Sequence, residues 1–174
     1  MTRSRGLGDV YKRQGVNELA KTFDVDIYGP HSARLPQVRR PLKDGESLTI
    51  LNLQFNIMEV PGHTLDHITY YADANNPFNE SLLFVGDTLF VGGCGRVFEG
   101  THDQMLDSLN KLKTLPADTK VFCAHEYTLA NLKFAKAVEP DNQALDEQIA
   151  QCQQRRENNL PTVPTTIGQE LLTN

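Results

Sequence analysis

The chain has 174 residues, 39% of them apolar and 22% charged, with 17 basic against 22 acidic side chains and a net charge of −5. That length suits one domain with a substantial core, or one domain plus a small appendage. No stretch approaches the roughly 18 consecutive apolar residues of a membrane span, and no basic stripe with interleaved aromatics tracks a phosphate backbone, which argues against membrane and nucleic acid as partners.

The first fourteen residues, MTRSRGLGDVYKRQ, stand apart. Arg3, Arg5, Lys12 and Arg13 against Asp9 give +3 with no apolar period of either kind, and the run Asp9 to Gln14 resembles a translated sequencing adapter. Residues 1–14 therefore read as a non-native tail, with a disordered native arm as the alternative. From Gly15 a compact pattern begins: Val16, Leu19, Ala20 and Phe23 recur at helical spacing and Asp24 closes the run, predicting an amphipathic helix. Asp26 to Gly29 reads as a short strand stopped by Gly29-Pro30, followed by a polar, Arg-rich loop through Arg40 that carries His31 as a solvated histidine.

Leu48 to Val60 is rich in Leu, Ile, Phe and Val and predicts two strands turned near Leu53-Gln54, the second delivering Pro61-Gly62-His63. Ile68 to Ala72 predicts a third strand. Ser81 to Val85, nearly all apolar, predicts a fourth, buried on both faces, that ends at Gly86-Asp87. Leu106, Leu109, Leu112 and Leu115 mark a helix starting near Thr101, with His102 flanking its cap, and Lys120 to Ala124 is a strand that ends at His125. Leu132, Phe134, Ala135 and Val138 mark a helix stopped by Glu139-Pro140, Gln143 to Arg156 a last one, and Pro161 to Thr166 reads as extended. The shift near Thr128 from β-rich to helical sequence divides the chain into 15–127 and a helical part, 128–174.

Cys94, Cys123 and Cys152 form no C-x-x-C pair and follow no secretory signal, so a reducing cytoplasm and bystander thiols fit them best. Three blocks carry the chemistry: Pro61-Gly62-His63-Thr64, Gly86-Asp87-Thr88-Leu89-Phe90 and Ala124-His125-Glu126-Tyr127. Each places a metal-ligating side chain just after a β run, where loops can bring residues distant in sequence onto one ion. A buried carboxylate such as Asp87 needs a cation or several donors. It can bridge two ions about 3.5–4 Å apart while His63 and His125 each serve one. Taken singly, Asp87 could instead cap the loop that follows it, and each histidine could hydrogen-bond to backbone. His67 could be a further ligand, a buried structural histidine, or the side chain that orients the ligands.

At these blocks the sequence resembles a known family. PGHTLDH, GDTLFVGGCGRVFEGT and CAHEYTLANLKFA resemble hydroxyacylglutathione hydrolases (glyoxalase II) of the metallo-β-lactamase superfamily, with the likeness running from Gly15 to Asn174. The resemblance implies an α/β chain: an αββα metallo-β-lactamase-like sandwich followed by the start of a C-terminal helical domain. It also implies two divalent metals, zinc with iron or manganese tolerated, and a metal-bound hydroxide that hydrolyses S-D-lactoylglutathione to glutathione and D-lactate. By motif His63 binds one metal, Asp87 bridges both and carries the catalytic role, and His125 binds the other. Arg96, Val97 and Phe98, with His125, Glu126 and Tyr127, would hold the glutathione moiety of this thioester substrate, and the protein would act as a monomer.

The departures from the pattern are equally specific. Family members carry T-H-x-H-x-D-H just before the helix that begins here at Val16, and MTRSRGLGDVYKRQ stands in its place. The chain also stops at Asn174, ahead of basic residues with which the family grips glutathione. It reads as truncated at both ends, with the first strands of the sandwich missing, and the expectation is weak metal binding and little or no thioesterase activity. Two rival readings are another enzyme of this fold, such as a persulfide dioxygenase or lactonase, and a non-catalytic fragment whose polar residues satisfy one another.

Overall fold

The computed structural model describes residues 15–32 and 34–174; the tail at 1–14 lies outside them. The helix predicted after Gly15 forms as α1 (Val16–Phe23), but of its apolar residues only Ala20 is buried, while Leu19 and Phe23 face outward. The short strand falls at β1 (Tyr28–Pro30), two residues later than the sequence suggested. It pairs in parallel with β2 (Arg40–Leu42), a strand that the polar loop concealed.

β3 (Ser47–Ile50) and β4 (Leu53–Glu59) form the predicted hairpin, with the turn at Leu51-Asn52 rather than Leu53-Gln54. Both turn residues adopt positive φ, 51° and 63°, the geometry whose twist matches a two-residue hairpin. β5 (Ile68–Ala72) lies where Ile68 and Ala72 bound the third apolar run. β6 (Leu82–Gly86) differs from expectation: Leu82, Leu83 and Val85 are buried, but Phe84 is 42% exposed. Its ring stacks on Phe122 at 5.1 Å and meets Phe55 edge-on at 5.9 Å, so the apolar run serves a core on one side and an aromatic surface cluster on the other.

A small hairpin, β7 (Leu89–Phe90) with β8 (Gly93–Cys94), precedes helix α2 (His102–Leu112). Thr101 caps α2 in a full capping box with Gln104, and His102 is the first helical residue. β9 (Lys120–Cys123) completes the central sheet, followed by α3 (Thr128–Val138) and α4 (Gln143–Glu157). The segment read as extended holds only a two-residue strand, β10 (Thr165–Thr166), and then turns into α5 (Ile167–Thr173). Among the described residues no helix is long and apolar enough to cross a membrane.

The six-stranded sheet has the order β10-β9-β6-β5-β4-β3. β3 to β6 pair antiparallel in sequence, β6 and β9 pair in parallel, and β10 closes the edge antiparallel to β9. The core on one face joins Val60, Leu83, Val85 and Val121 to Leu112 of α2 and Ile167 of α5. Burying such side chains stabilises the fold by roughly 1.5–3 kcal/mol each. A separate cluster of Leu132, Leu145 and Cys152 holds α3 against α4. The architecture is thus a mixed α/β sheet layer with C-terminal helices. α3 is less amphipathic in place than its spacing suggested, because Phe134 and Val138 are exposed and only Thr128 and Leu132 are buried.

Candidate metal centre

Topology explains why the three blocks meet. Since β5 runs antiparallel to both β4 and β6, and β9 runs parallel to β6, the strands β4, β6 and β9 all point the same way. His63, Asp87 and His125 each lie within four residues of the C-terminal end of one of these strands, so all three emerge at one edge of the sheet. The Ala124 N–H donates to the Gly86 carbonyl at 2.9 Å, which locks the Asp87 and His125 turns side by side.

Nε2 of His63 lies 3.9 Å from Oδ2 of Asp87, and Nε2 of His125 lies 3.2 Å from Oδ1. His63 and Asp87 are buried, whereas the His125 side chain is 35% exposed. The two imidazoles approach opposite oxygens of one carboxylate. Among the described residues no group of three or more His, Cys, Asp or Glu closes on a single ion. A carboxylate flanked by two imidazole nitrogens is a donor set of the kind zinc and other borderline metals take, so these residues fit a divalent-metal site.

The partners of these side chains set their orientation. Nδ1 of His63 lies 2.8 Å from the Arg96 carbonyl, which can only accept, so Nδ1 donates there and Nε2 is the nitrogen turned toward Asp87. Nε2 of His67 accepts the Asp87 N–H at 3.2 Å and so braces the carboxylate-bearing turn, and the His67 ring meets that of His63 edge-on at 6.2 Å. Gly86, at φ +56°, passes over that imidazole where a Cβ would come within 2.7 Å of Cε1. The closest approach is at Gly95, where a Cβ would stand 1.8 Å from the Asp87 carbonyl oxygen. Only glycine lets the 93–96 segment lie on the Asp87 turn, where the Gly95 N–H donates to the Thr88 carbonyl at 3.1 Å.

Aromatic rings flank both histidines. Phe98 sits 5.0 Å from His63, and Tyr127 stacks on His125 at 5.0 Å and 17°, with Phe90 edge-on to both rings of that pair. Phe98, Tyr127 and Arg96 are exposed and Val97 is half-buried, so solvent reaches the rings beside both histidines. Glu126 turns away from the carboxylate: its Oε1 accepts from the backbone N–H and hydroxyl of Thr162 at 2.6 and 2.7 Å, with Arg156 at 3.8 Å. These hydrogen bonds hold its carboxyl below the ordinary carboxylate range and tie the His125 turn to the helical segment.

Glu170 of α5 is a member of this neighbourhood that the sequence did not single out. Its buried carboxylate accepts from the Gly92 N–H at 2.9 Å, the Thr165 hydroxyl at 2.7 Å and the Asn174 amide at 3.0 Å. Burial pushes its carboxyl above the usual range. The signal lay in the spacing Thr166 to Gln169, a capping pattern that announces α5 and with it an inward-facing Glu170. Cys94 is exposed, Cys123 is half-buried with its thiol on the His125 carbonyl, Cys152 is buried, and all three are free thiols. His31 is exposed, as predicted.

Residues 6–125 match the metallo-beta-lactamase superfamily, so the chain belongs to that superfamily, a class whose shared site binds divalent metal. Residues 126–174 match the hydroxyacylglutathione hydrolase C-terminus. Among curated relatives, a hydroxyacylglutathione hydrolase of Pseudoalteromonas translucida is 51% identical over 87% of this chain and 56% of its own length. One of Chromohalobacter salexigens is 47% identical over 90% and 60%. The chain therefore spans about 60% or less of these relatives' length. Among solved structures, ETHE1 from Myxococcus xanthus is 29% identical, with a TM-score of 0.56, covering 65% of this chain and 48% of that one.

Proposed function

We propose that this chain is part of a thioester hydrolase that converts S-D-lactoylglutathione, or a related S-(2-hydroxyacyl)glutathione, and water to glutathione and D-lactate. The observation that carries the reading is the convergence of His63, Asp87 and His125 beside an exposed Arg96, Phe98 and Tyr127. The similarity to hydroxyacylglutathione hydrolases on both sides of residue 125 supports it. We also infer a sequence division into 15–127 and 128–174, with β10 and α5 of the second part returning to the sheet and core of the first, and that the three free thiols reflect a reducing cytoplasm.

In this reading His63 would hold one ion and His125 the other, and Asp87 would serve both. Two divalent ions bound there, zinc or alternatively iron or manganese, would supply a nucleophile from water at neutral pH and a Lewis acid for the thioester carbonyl. The Arg96 guanidinium offers a planar fork to a glutathione carboxylate. Phe98 beside His63 and Tyr127 stacked on His125 would offer apolar ring faces to the bound thioester. The oxygen of water bonds to the thioester carbonyl carbon and the C–S bond breaks, so the whole 2-hydroxyacyl group is released as D-lactate and the sulfur as glutathione thiolate, which needs little general-acid help. His67 and the Arg96 carbonyl hold Asp87 and His63 in the orientation this requires.

The test is a substrate panel on the metal-loaded protein, following thiol release from S-D-lactoylglutathione beside glutathione persulfide and simple lactones. Preference for the glutathione thioester supports the proposal. Preference for a persulfide or a lactone overturns it.

A further inference from the structure

The substrate-facing segment 96–98 is joined to the metal-binding turn by a ladder that no secondary-structure element accounts for. The Phe98 N–H donates to the His63 carbonyl at 3.3 Å, and the Gly100 N–H donates to the Gly62 carbonyl at 3.1 Å. A Cβ on Gly100 would come within 2.7 Å of the Gly62 Cα, so the two chains abut. Between these rungs sits Glu99. Its Oε2 accepts the Leu65 N–H at 3.1 Å, and its Oε1 accepts from the Arg34 guanidinium, 65 residues earlier in the chain. The Asp66 carboxylate, next to Leu65, accepts from Ser32 and Thr64, which ties the Arg34 loop to the same turn a second time.

One carboxylate thus gathers Arg34 and the segments 63–66 and 96–100. Its neighbours in sequence are the residues that face the approach to the site, Phe98 one position away and Arg96 three. Arg96 and Phe98 are themselves exposed, so their own burial does not hold them in place. The Glu99 side chain is 23% exposed and that of Arg34 54%, so the pair lies at the surface, outside the hydrophobic core, where its removal leaves the fold intact.

We propose that Glu99, oriented by Arg34, is a positioning residue for glutathione recognition, fixing Arg96 and Phe98 at the distance from His63 that the bound thioester requires. This rests on the glutathione reading above. Glu99 touches neither substrate nor metal; it acts through the ladder.

The experiment uses the 174-residue chain and four variants: Glu99→Gln, Glu99→Ala, Arg34→Leu and the Glu99→Ala/Arg34→Leu double. Three quantities are read for each: the melting temperature, the amide exchange rates of Phe98 and Gly100, and the Kd for S-methylglutathione, a thioether that cannot be hydrolysed. Glu99→Ala should speed exchange at both amides and weaken S-methylglutathione binding, each by about tenfold, the scale of a lost charge-assisted hydrogen bond. The melting temperature should move by no more than about 2 °C. Glu99→Gln keeps an acceptor for Leu65 and should fall between Glu99→Ala and the wild type, while Arg34→Leu should add nothing on top of Glu99→Ala. Unchanged exchange at Phe98 overturns the proposal, as does faster exchange without loss of affinity, or a fall in melting temperature that accounts for both. A wild-type chain that binds no S-methylglutathione overturns the glutathione reading instead, and does so before any variant is made.

Discussion

Replacing Gly95 by alanine probes the contact on which the centre depends. The new Cβ would lie 1.8 Å from the Asp87 carbonyl oxygen, 3.0 Å from its carbon and 3.3 Å from Nδ1 of His63. Two of those neighbours are backbone and cannot swing aside as a flexible side chain would. Non-bonded carbon and oxygen need about 3.5 Å, so the 93–96 segment must lift by more than ~1 Å. That displacement breaks the Gly95 N–H to Thr88 bond at 3.1 Å and the His63 Nδ1 to Arg96 carbonyl bond at 2.8 Å. Two lost hydrogen bonds at about 1 kcal/mol each, with about 1 kcal/mol of residual strain, give a destabilisation of roughly 2–4 kcal/mol. For a chain of this size each kcal/mol lowers the melting temperature by about 2–4 °C, so thermal unfolding should show a fall of roughly 4–16 °C. Because His63 loses the acceptor that fixes its ring, metal retained after dialysis should fall as well. A melting temperature within about 1 °C of wild type, with metal content unchanged, would refute the close approach and the orienting role of the Arg96 carbonyl.

Glu170→Gln is isosteric: the amide oxygen still accepts from Gly92 and Asn174, while the amide nitrogen, in place of Oε1, reverses the third bond and donates to the Thr165 hydroxyl. Burial raises the carboxyl of Glu170 in the folded state, so its contribution is fully present below the ordinary glutamate range and is lost as pH rises through the raised folded value. The variant should equal or exceed wild-type stability at neutral pH and flatten that decline in urea titrations from acid to neutral pH; a steeper decline would contradict the assignment. Arg96→Leu should raise the Kd for S-methylglutathione by about tenfold or more while leaving zinc content unchanged, since a bidentate charge-assisted contact is lost and no ligand is touched. Equal affinity in calorimetry would remove Arg96 from the substrate site.

The sequence marked the three side chains of the centre because each follows an apolar β run, and strand ends are where a sheet presents residues to solvent. His63, Asp87 and His125 follow β4, β6 and β9, which run in one direction, and no local pattern states that common direction; it is a product of strand pairing. The contacts that hold the centre were less legible. A backbone carbonyl such as that of Arg96 has no signature in a residue alphabet, and only the density of glycine at 92–95 hinted that the main chain passes close there. Phe84 could not be placed outward from its apolar run, because an inward and an outward phenylalanine look alike in sequence. α5 was hidden behind Pro161 and Pro164, although Thr166 and Gln169 carried its start. Leu19 and Phe23 were read as an inward face of α1, and the described residues bury neither.

The most direct test of the central claim is anomalous diffraction from crystals of this protein soaked in zinc, recorded on both sides of the zinc edge. The account predicts two peaks flanking the Asp87 carboxylate, one within bonding distance of Nε2 of His63 and the other of Nε2 of His125. A single peak away from Asp87, or density in which His125 and Asp87 remain hydrogen-bonded with no metal between them and either histidine, would contradict it.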